Sequence, residues 1–361
     1  MEHILQFNPQ QKGQRAVAIW LLIGVAMIIV QILLGGITRL TGSGLSITEW
    51  EVVTGTLPPL NEAAWLEKFS EYQQTPQFRL LNTDFNLPDF KFIFFWEWFH
   101  RFWARLIGVV FLVGFVYLSA KRYLKREMVN PLLILFVLGA LQGAVGWIMV
   151  ASGLTGDAVY VKPTRLALHF VLAIGLLCYT FWFALQLLVP ARERINSGPV
   201  KKGIWLILGL LTLQLLYGAL MAGHKAAAVA STWPTINGAW YPDGMGSHQP
   251  WLINFIDNTI TVHFIHRNLA YLITILIIVW YRKASQEPLS VVAKRYLRWP
   301  LLIVVIQVLL GILAVLTSKE IIPNRWGSFE WMAQIHQLTA MFLVLSLVGM
   351  LYLFSARRQQ A

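Results

Sequence analysis

The chain is poor in charge and nearly devoid of cysteine. Of its 361 residues only 13% are Asp, Glu, Lys or Arg, and Cys178 is the single cysteine. One thiol excludes a disulfide or a cysteine-built metal centre within one chain. So little charge, beside 57% hydrophobic residues and 16 Trp, excludes an ordinary soluble domain. Acidic residues are the scarcer sign, 17 against 29 basic, for a net charge of +12. No basic stretch is interleaved with aromatics in the manner of an RNA-binding surface, so no nucleic-acid partner is expected.

Apolar sequence is present in long runs. Eight stretches lie near 17–37, 93–120, 131–151, 166–189, 203–222, 259–281, 299–317 and 331–355, each close to the roughly 20 residues a helix needs to cross hydrocarbon. The expected fold class is an all-α integral membrane protein, with eight transmembrane helices as two pseudo-symmetric four-helix bundles. The expected halves are residues 1–195 and 196–361.

Basic residues predict the orientation, because Lys and Arg gather in cytoplasmic loops. With the amino terminus inside, 17 of the 29 basic residues are cytoplasmic, among them Lys12, Arg15, Lys121, Arg122, Lys125, Arg126, Lys201, Lys202, Arg282, Lys283, Arg357 and Arg358. Both termini are therefore expected in the cytoplasm. The first residues carry neither the pattern of a cleavable signal nor that of a transit peptide. A bacterial inner membrane is the expected location, with membrane lipid as surroundings.

Four histidines stand at matching places in the two halves. His100 and His169 are 69 residues apart, His266 and His336 are 70 apart, and the pairs are offset by 166 and 167. An ionisable group in a membrane segment marks a functional site by default. From His100 to the basic Lys121 is 21 residues, roughly 30 Å at helical rise, so the pairs are expected near the outer face. His263 precedes His266 by one turn as a further donor or alternative ligand, and His3, His224 and His248 are read as solvated.

The repeat extends further. Each odd-numbered span carries Gln and, four residues on, Gly: Gln31 and Gly35, Gln142 and Gly146, Gln214 and Gly218, Gln307 and Gly311. Small residues let membrane helices approach closely and buried amides bond across them, so helix packing is their expected role. The long outer loops, about 38–92 and 223–258, are expected to cover the sites; they include Glu49-Trp50-Glu51 and an amphipathic stretch from Glu62 to Tyr72.

Two imidazoles from two helices suit opposed axial ligation of an iron macrocycle, whereas zinc or copper usually asks for a third protein ligand. Bis-histidine haem is thus the chemistry read from the residues, with metal ligands His100, His169, His266 and His336. Arg101 and Arg267, with Arg105 and Arg165 nearby, are expected to pair with propionates. Glu97 stands three residues before His100, where the second half has His263. A di-iron carboxylate site needs the Glu-x-x-His motif twice, and it occurs once. Glu97 is instead a candidate catalytic general base, proton relay or electrostatic stabiliser.

Several segments resemble haem A synthase: GGITRLTGSGLSITEW (35–50), EWFHRFWARLIG (97–108), LQGAVGWIMVASGL (141–154), RLALHF (165–170), HFIHR (263–267) and QIHQ (334–337). Together they span nearly the whole chain. The resemblance implies an oxidoreductase that oxidises the position-8 methyl of haem O to the formyl of haem A by successive hydroxylations. It implies that His100, His169 and Arg101 bind the substrate porphyrin, that His266, His336 and Arg267 hold a haem b cofactor, and that Glu97 is the functional acid. Haem O, a haem O synthase and an electron-transfer partner are the implied partners, and oligomeric state stays open. Part of the family carries an outer-loop cysteine pair that this chain lacks. A non-enzymatic bis-haem electron carrier is the alternative expectation; a transporter would need polar residues deeper in the helices.

Overall fold

The computed structural model describes residues 12–49, 56–323 and 325–356. His3, Trp50, Glu51, Arg357 and Arg358, singled out above, lie outside them. Among the described residues there is no strand, and β-pairing is confined to the isolated bridges Asn196–Ser355 and Ile236–Ala239.

Among the described residues eight helices are long and apolar enough to cross a membrane. They are α1 (Lys12–Leu40), α4 (Leu87–Ala120), α5 (Arg126–Ala151), α6 (Pro163–Leu188), α7 (Gly198–Gly223), α9 (Thr259–Ala284), α11 (Trp299–Thr317) and α12 (Ser328–Leu353). Short helices fill the gaps: α2 (Glu62–Gln73), α3 (Pro76–Leu81), α8 (Asn254–Asp257) and α10 (Val291–Tyr296).

All eight expected spans are helical, and most helices outrun their apolar stretch because hydropathy measures membrane depth rather than helix length. The clearest case is α4, which starts at Leu87 instead of 93. Asn86 and Asp89 form a reciprocal capping box and Pro88 stands in the first turn, so the helix nucleates outside the apolar run.

In the first half α1 packs on α4 and α6, and α6 on α5; in the second, α7 packs on α9 and α11 on α12. The largest core cluster crosses the boundary at 195/196. It joins Ile28 and Ile32 of α1, Leu177 of α6, Ile204 of α7, Ile273 of α9 and Leu347 of α12. The linker is also tied to the end of α12, where Ile195 donates to the Leu353 carbonyl at 2.6 Å and Ala356 to the Ile195 carbonyl at 3.1 Å. The halves are thus sequence repeats with a shared interior. Of the eight, α12 is the most buried, whereas α4 and α5 turn most of their surface outward, including Leu112, Val113, Phe136 and Val137, as lipid-facing helices should.

Helices α2 and α3 press Trp65, Phe69, Tyr72 and Phe78 onto Phe90, Ile93 and Phe94 at the start of α4. The amphipathic stretch therefore spends its apolar face on α4, while Leu57, Leu60 and Leu66 stay exposed.

Candidate functional site

All four expected ligand histidines lie in the first half of α4, α6, α9 and α12, the half nearer the end from which the long loops project. His266 and His336 face one another with ring centroids 6.5 Å apart and planes at 70°. His100 on α4 and His169 on α6 lie on helices that both pack on α1. The structure thus brings the second predicted pair face to face and sets the first on two helices that share α1.

Each ring rests on the preceding long helix. A Cβ on Gly35, Gly146, Gly218 or Gly311 would lie 3.3, 2.8, 3.3 or 2.9 Å from the ring of His100, His169, His266 or His336 respectively. The glutamines one turn earlier touch the same residues. Gln31 donates to the His100 carbonyl at 3.2 Å, Gln142 to the His169 carbonyl at 3.0 Å, and the amide nitrogens of Gln214 and Gln307 lie 3.3 and 3.2 Å from Nε2 of His266 and His336. They do more than pack helices.

The glutamines of QIHQ bind the halves together. Gln334 donates to the Leu33 carbonyl at 2.9 Å and Gln337 to the Ile32 carbonyl at 2.8 Å, both on α1. They fit because Gly36 has no side chain; a Cβ there would lie 2.5 Å from Gln334 Oε1 and 2.8 Å from Gln337 Oε1. So α1 supports His100 through Gly35 and grips both sides of His336 through its neighbours.

Glu97 is buried and fully engaged. Its Oε2 accepts from the Ser46 amide and hydroxyl at 2.7 Å each and from the Ile47 amide at 3.0 Å, while Oε1 accepts from Arg101 Nη2 at 2.6 Å. Arg101 also donates to the carbonyls of Ile47 and Glu49, both at 3.1 Å. Within the GGITRLTGSGLSITEW segment, Ser46 to Glu49 form the turn that Glu97 and Arg101 clamp. His263 and Arg267 repeat the device. Arg267 Nε donates to His263 Nε2 at 2.9 Å, and its Nη1 and Nη2 donate to the Thr235 and Ala230 carbonyls at 3.1 Å each. Both arginines donate to loop carbonyls, and His263 belongs to the loop clamp.

Arg165 donates to the Ile148 carbonyl at 2.9 Å, closing the end of α5. His224 contacts the Ile256 carbonyl at 2.8 Å, and the backbone of His248 bonds Asn254, so both belong to loop structure. In the first loop the Tyr72 hydroxyl donates to Gln77 Oε1 at 3.1 Å and accepts from Asn82 at 2.7 Å, and Gln77 reaches the Gly42 carbonyl at 3.3 Å. Burial pushes the Tyr72 hydroxyl up to about 12, with Asn82 acting against the shift and Glu97 adding to it.

The donor set fits iron held between imidazoles. A ligating imidazole nitrogen lies about 2 Å from its metal, which puts two opposed ring centroids roughly 6 Å apart, and the His266–His336 spacing of 6.5 Å agrees. Among the described residues no group of three His, Cys, Asp or Glu could share a metal ion, which disfavours the di-iron and zinc arrangements. The ring-sized cradles under the histidines exist only because four glycines lack a Cβ.

Fold and site define a class: a duplicated eight-helix membrane protein with one histidine pair in each copy. Residues 18–348 match the cytochrome oxidase assembly protein family COX15-CtaA, and the chain belongs to it. It is similar to the haem A synthase of Flavobacterium psychrophilum, 38% identical over 353 residues, which cover 95% of this chain and 99% of that one. The haem A synthase of Parvibaculum lavamentivorans is 44% identical over 76% of this chain and 79% of its own length. That of Paracoccus denitrificans is 41% identical over 86% and 83%.

Proposed function

We propose that this protein is a haem A synthase, an oxidoreductase of the membrane that converts the position-8 methyl of haem O to a formyl group by two hydroxylations and loss of water. The observation that carries this reading is the duplicated imidazole pair with a buried carboxylate one turn before the first histidine, in a chain of this family. His100 and His169 bind the substrate porphyrin. His266 and His336 hold a haem b, which when bound supplies a one-electron carrier.

The second pair suits a resident group because His336 lies on the most enclosed helix and is gripped from α1 on both sides. The first pair suits an exchanging substrate because His100 lies on α4, the least enclosed. Glu97 is the acid of the reaction site. Ser46 Oγ, 2.7 Å from Glu97 Oε2, gives it a hydroxyl through which a proton passes between the site and the loop. Arg101 and Arg267 border the two sites by fixing the loops that exclude water. The termini are cytoplasmic and the sites lie toward the outer face; a haem O synthase supplies the substrate and a separate partner exchanges electrons with the protein.

The bis-haem carrier lacks support because the carboxylate cluster has no second-half copy. The test is expression in a host that makes haem O but no haem A, followed by chromatography of the extracted haems. Appearance of haem A is expected; its absence, with the protein present in the membrane, contradicts the proposal.

A further inference from the structure

The four Gln-x-x-x-Gly pairs share one geometry that the reaction itself does not require. In a helix the carbonyl of residue i receives the N–H of residue i+4, so each glycine lies beside the carbonyl of its glutamine. Where the Cβ is missing, a neighbouring ring can descend onto that carbonyl. His336 does so: its Nδ1 is 3.0 Å from the Gln307 carbonyl. Such a bond holds the proton on Nδ1 and leaves Nε2 for a metal, which is how ligating imidazoles are commonly oriented. The same opening serves Gln337, which reaches the Ile32 carbonyl four residues before Gly36. The Oε1 atoms of Gln31, Gln142, Gln214 and Gln307 are all buried without a partner, a shared cost that packing alone would not select four times.

We propose that each pair is a mount for one axial imidazole, the glycine serving as seat and the glutamine as brace. Gly35 and Gln31 mount His100, Gly146 and Gln142 mount His169, Gly218 and Gln214 mount His266, and Gly311 and Gln307 mount His336. The eight are positioning residues, since they act through the histidines. The bracing differs from ring to ring. At His100 the Gln31 amide reaches only the backbone carbonyl, at His169 the Gln142 amide lies near the backbone carbonyl and both ring nitrogens, and at His336 the Gln307 backbone carbonyl holds Nδ1. This rests on the bis-imidazole reading of both pairs.

The experiment purifies the full-length protein with its haem and compares haem content, low-spin signal in electron paramagnetic resonance, and midpoint potential among variants. Gly311→Ala drives a methyl into the His336 ring at 2.9 Å and Gly218→Ala crowds the His266 ring at 3.3 Å; both are expected to lower haem b retention, the first about tenfold or more with loss of the low-spin signal. Gly209→Ala lies on the same helix as Gly218, and its Cβ meets nothing within 4 Å; it should match the parent protein. Gln307→Leu keeps the seat and the backbone carbonyl, so it should retain haem b with a shifted potential. It also carries the test if Gly311→Ala fails to accumulate. Unaltered spectra and retention in both glycine variants, or an unaltered potential in Gln307→Leu, overturn the mounts. A parent protein without any low-spin haem instead overturns the ligand assignment beneath them.

Discussion

Glu97 and Arg101, one helical turn apart on α4, form a 2.6 Å ion pair with side chains only 3% and 14% exposed, and both continue into the turn at Ser46 to Glu49. His263 and Arg267 occupy the corresponding places on α9 and hold the second loop in the same way. The halves therefore share a loop clamp and differ in whether its inner partner is a carboxylate or an imidazole.

Glu97→Ala should abolish haem A formation and leave haem b in the second half. It strands a buried guanidinium and three donors, so thermal unfolding in detergent should report a loss of about 3–5 kcal/mol. Glu97→Gln keeps an acceptor for the Ser46 and Ile47 amides and should recover part of the stability but no turnover. Haem A formation at the parent rate by either variant removes Glu97 from the chemistry.

His266→Ala and His336→Ala should each deplete haem b, read from the optical spectrum of purified protein, because each removes one of the two imidazoles that would hold it. Full haem b content in either variant contradicts the assignment of that pair.

The first loop should loosen in alkali. Tyr72 ionises near pH 12 in the folded chain and near 10 when unfolded, so its contribution is complete below pH 10 and falls as pH rises toward 12. Lys68 acts in the same direction. Partial burial lowers its pKa, but hydrogen bonds to Glu49 and Glu71 outweigh this and raise it above 10.5, so its contribution is full below that value and lost above its folded pKa. Limited proteolysis between residues 56 and 86 should accelerate through this window, and less steeply in Tyr72→Phe. An identical pH profile in Tyr72→Phe contradicts the account.

Gly223→Ala should destabilise by about 1–3 kcal/mol, as overpacking does. The new Cβ would lie 2.8 Å from the Cα of Pro163, a backbone atom at the junction of α6 and α7 that cannot swing aside. Thermal unfolding unchanged from the parent protein contradicts this packing.

Much of this was legible in the residues. The spans could be read because lipid demands unbroken apolar helices, and the histidine pairs because duplication makes rare residues recur at one offset. The early start of α4 was also written locally, in Asn86, Pro88 and Asp89. Other features were hidden for physical reasons. The loop carbonyls that accept from Arg101 and Arg267 carry no side-chain signature, so this part of the clamps could not be read from the residues. The packing of the Glu62 to Tyr72 stretch was hidden because the aromatics it meets belong to α4. The two glycines at 35 and 36 read as generic small residues, although one seats His100 and the other admits Gln334 and Gln337.

The central claim is that two like-built sites hold unlike porphyrins, a substrate in the first half and a haem b in the second. The most direct measurement is chromatographic identification of the haems extracted from the purified protein. Haem b together with haem O or haem A is the predicted result, and haem b alone at two equivalents per chain would contradict it.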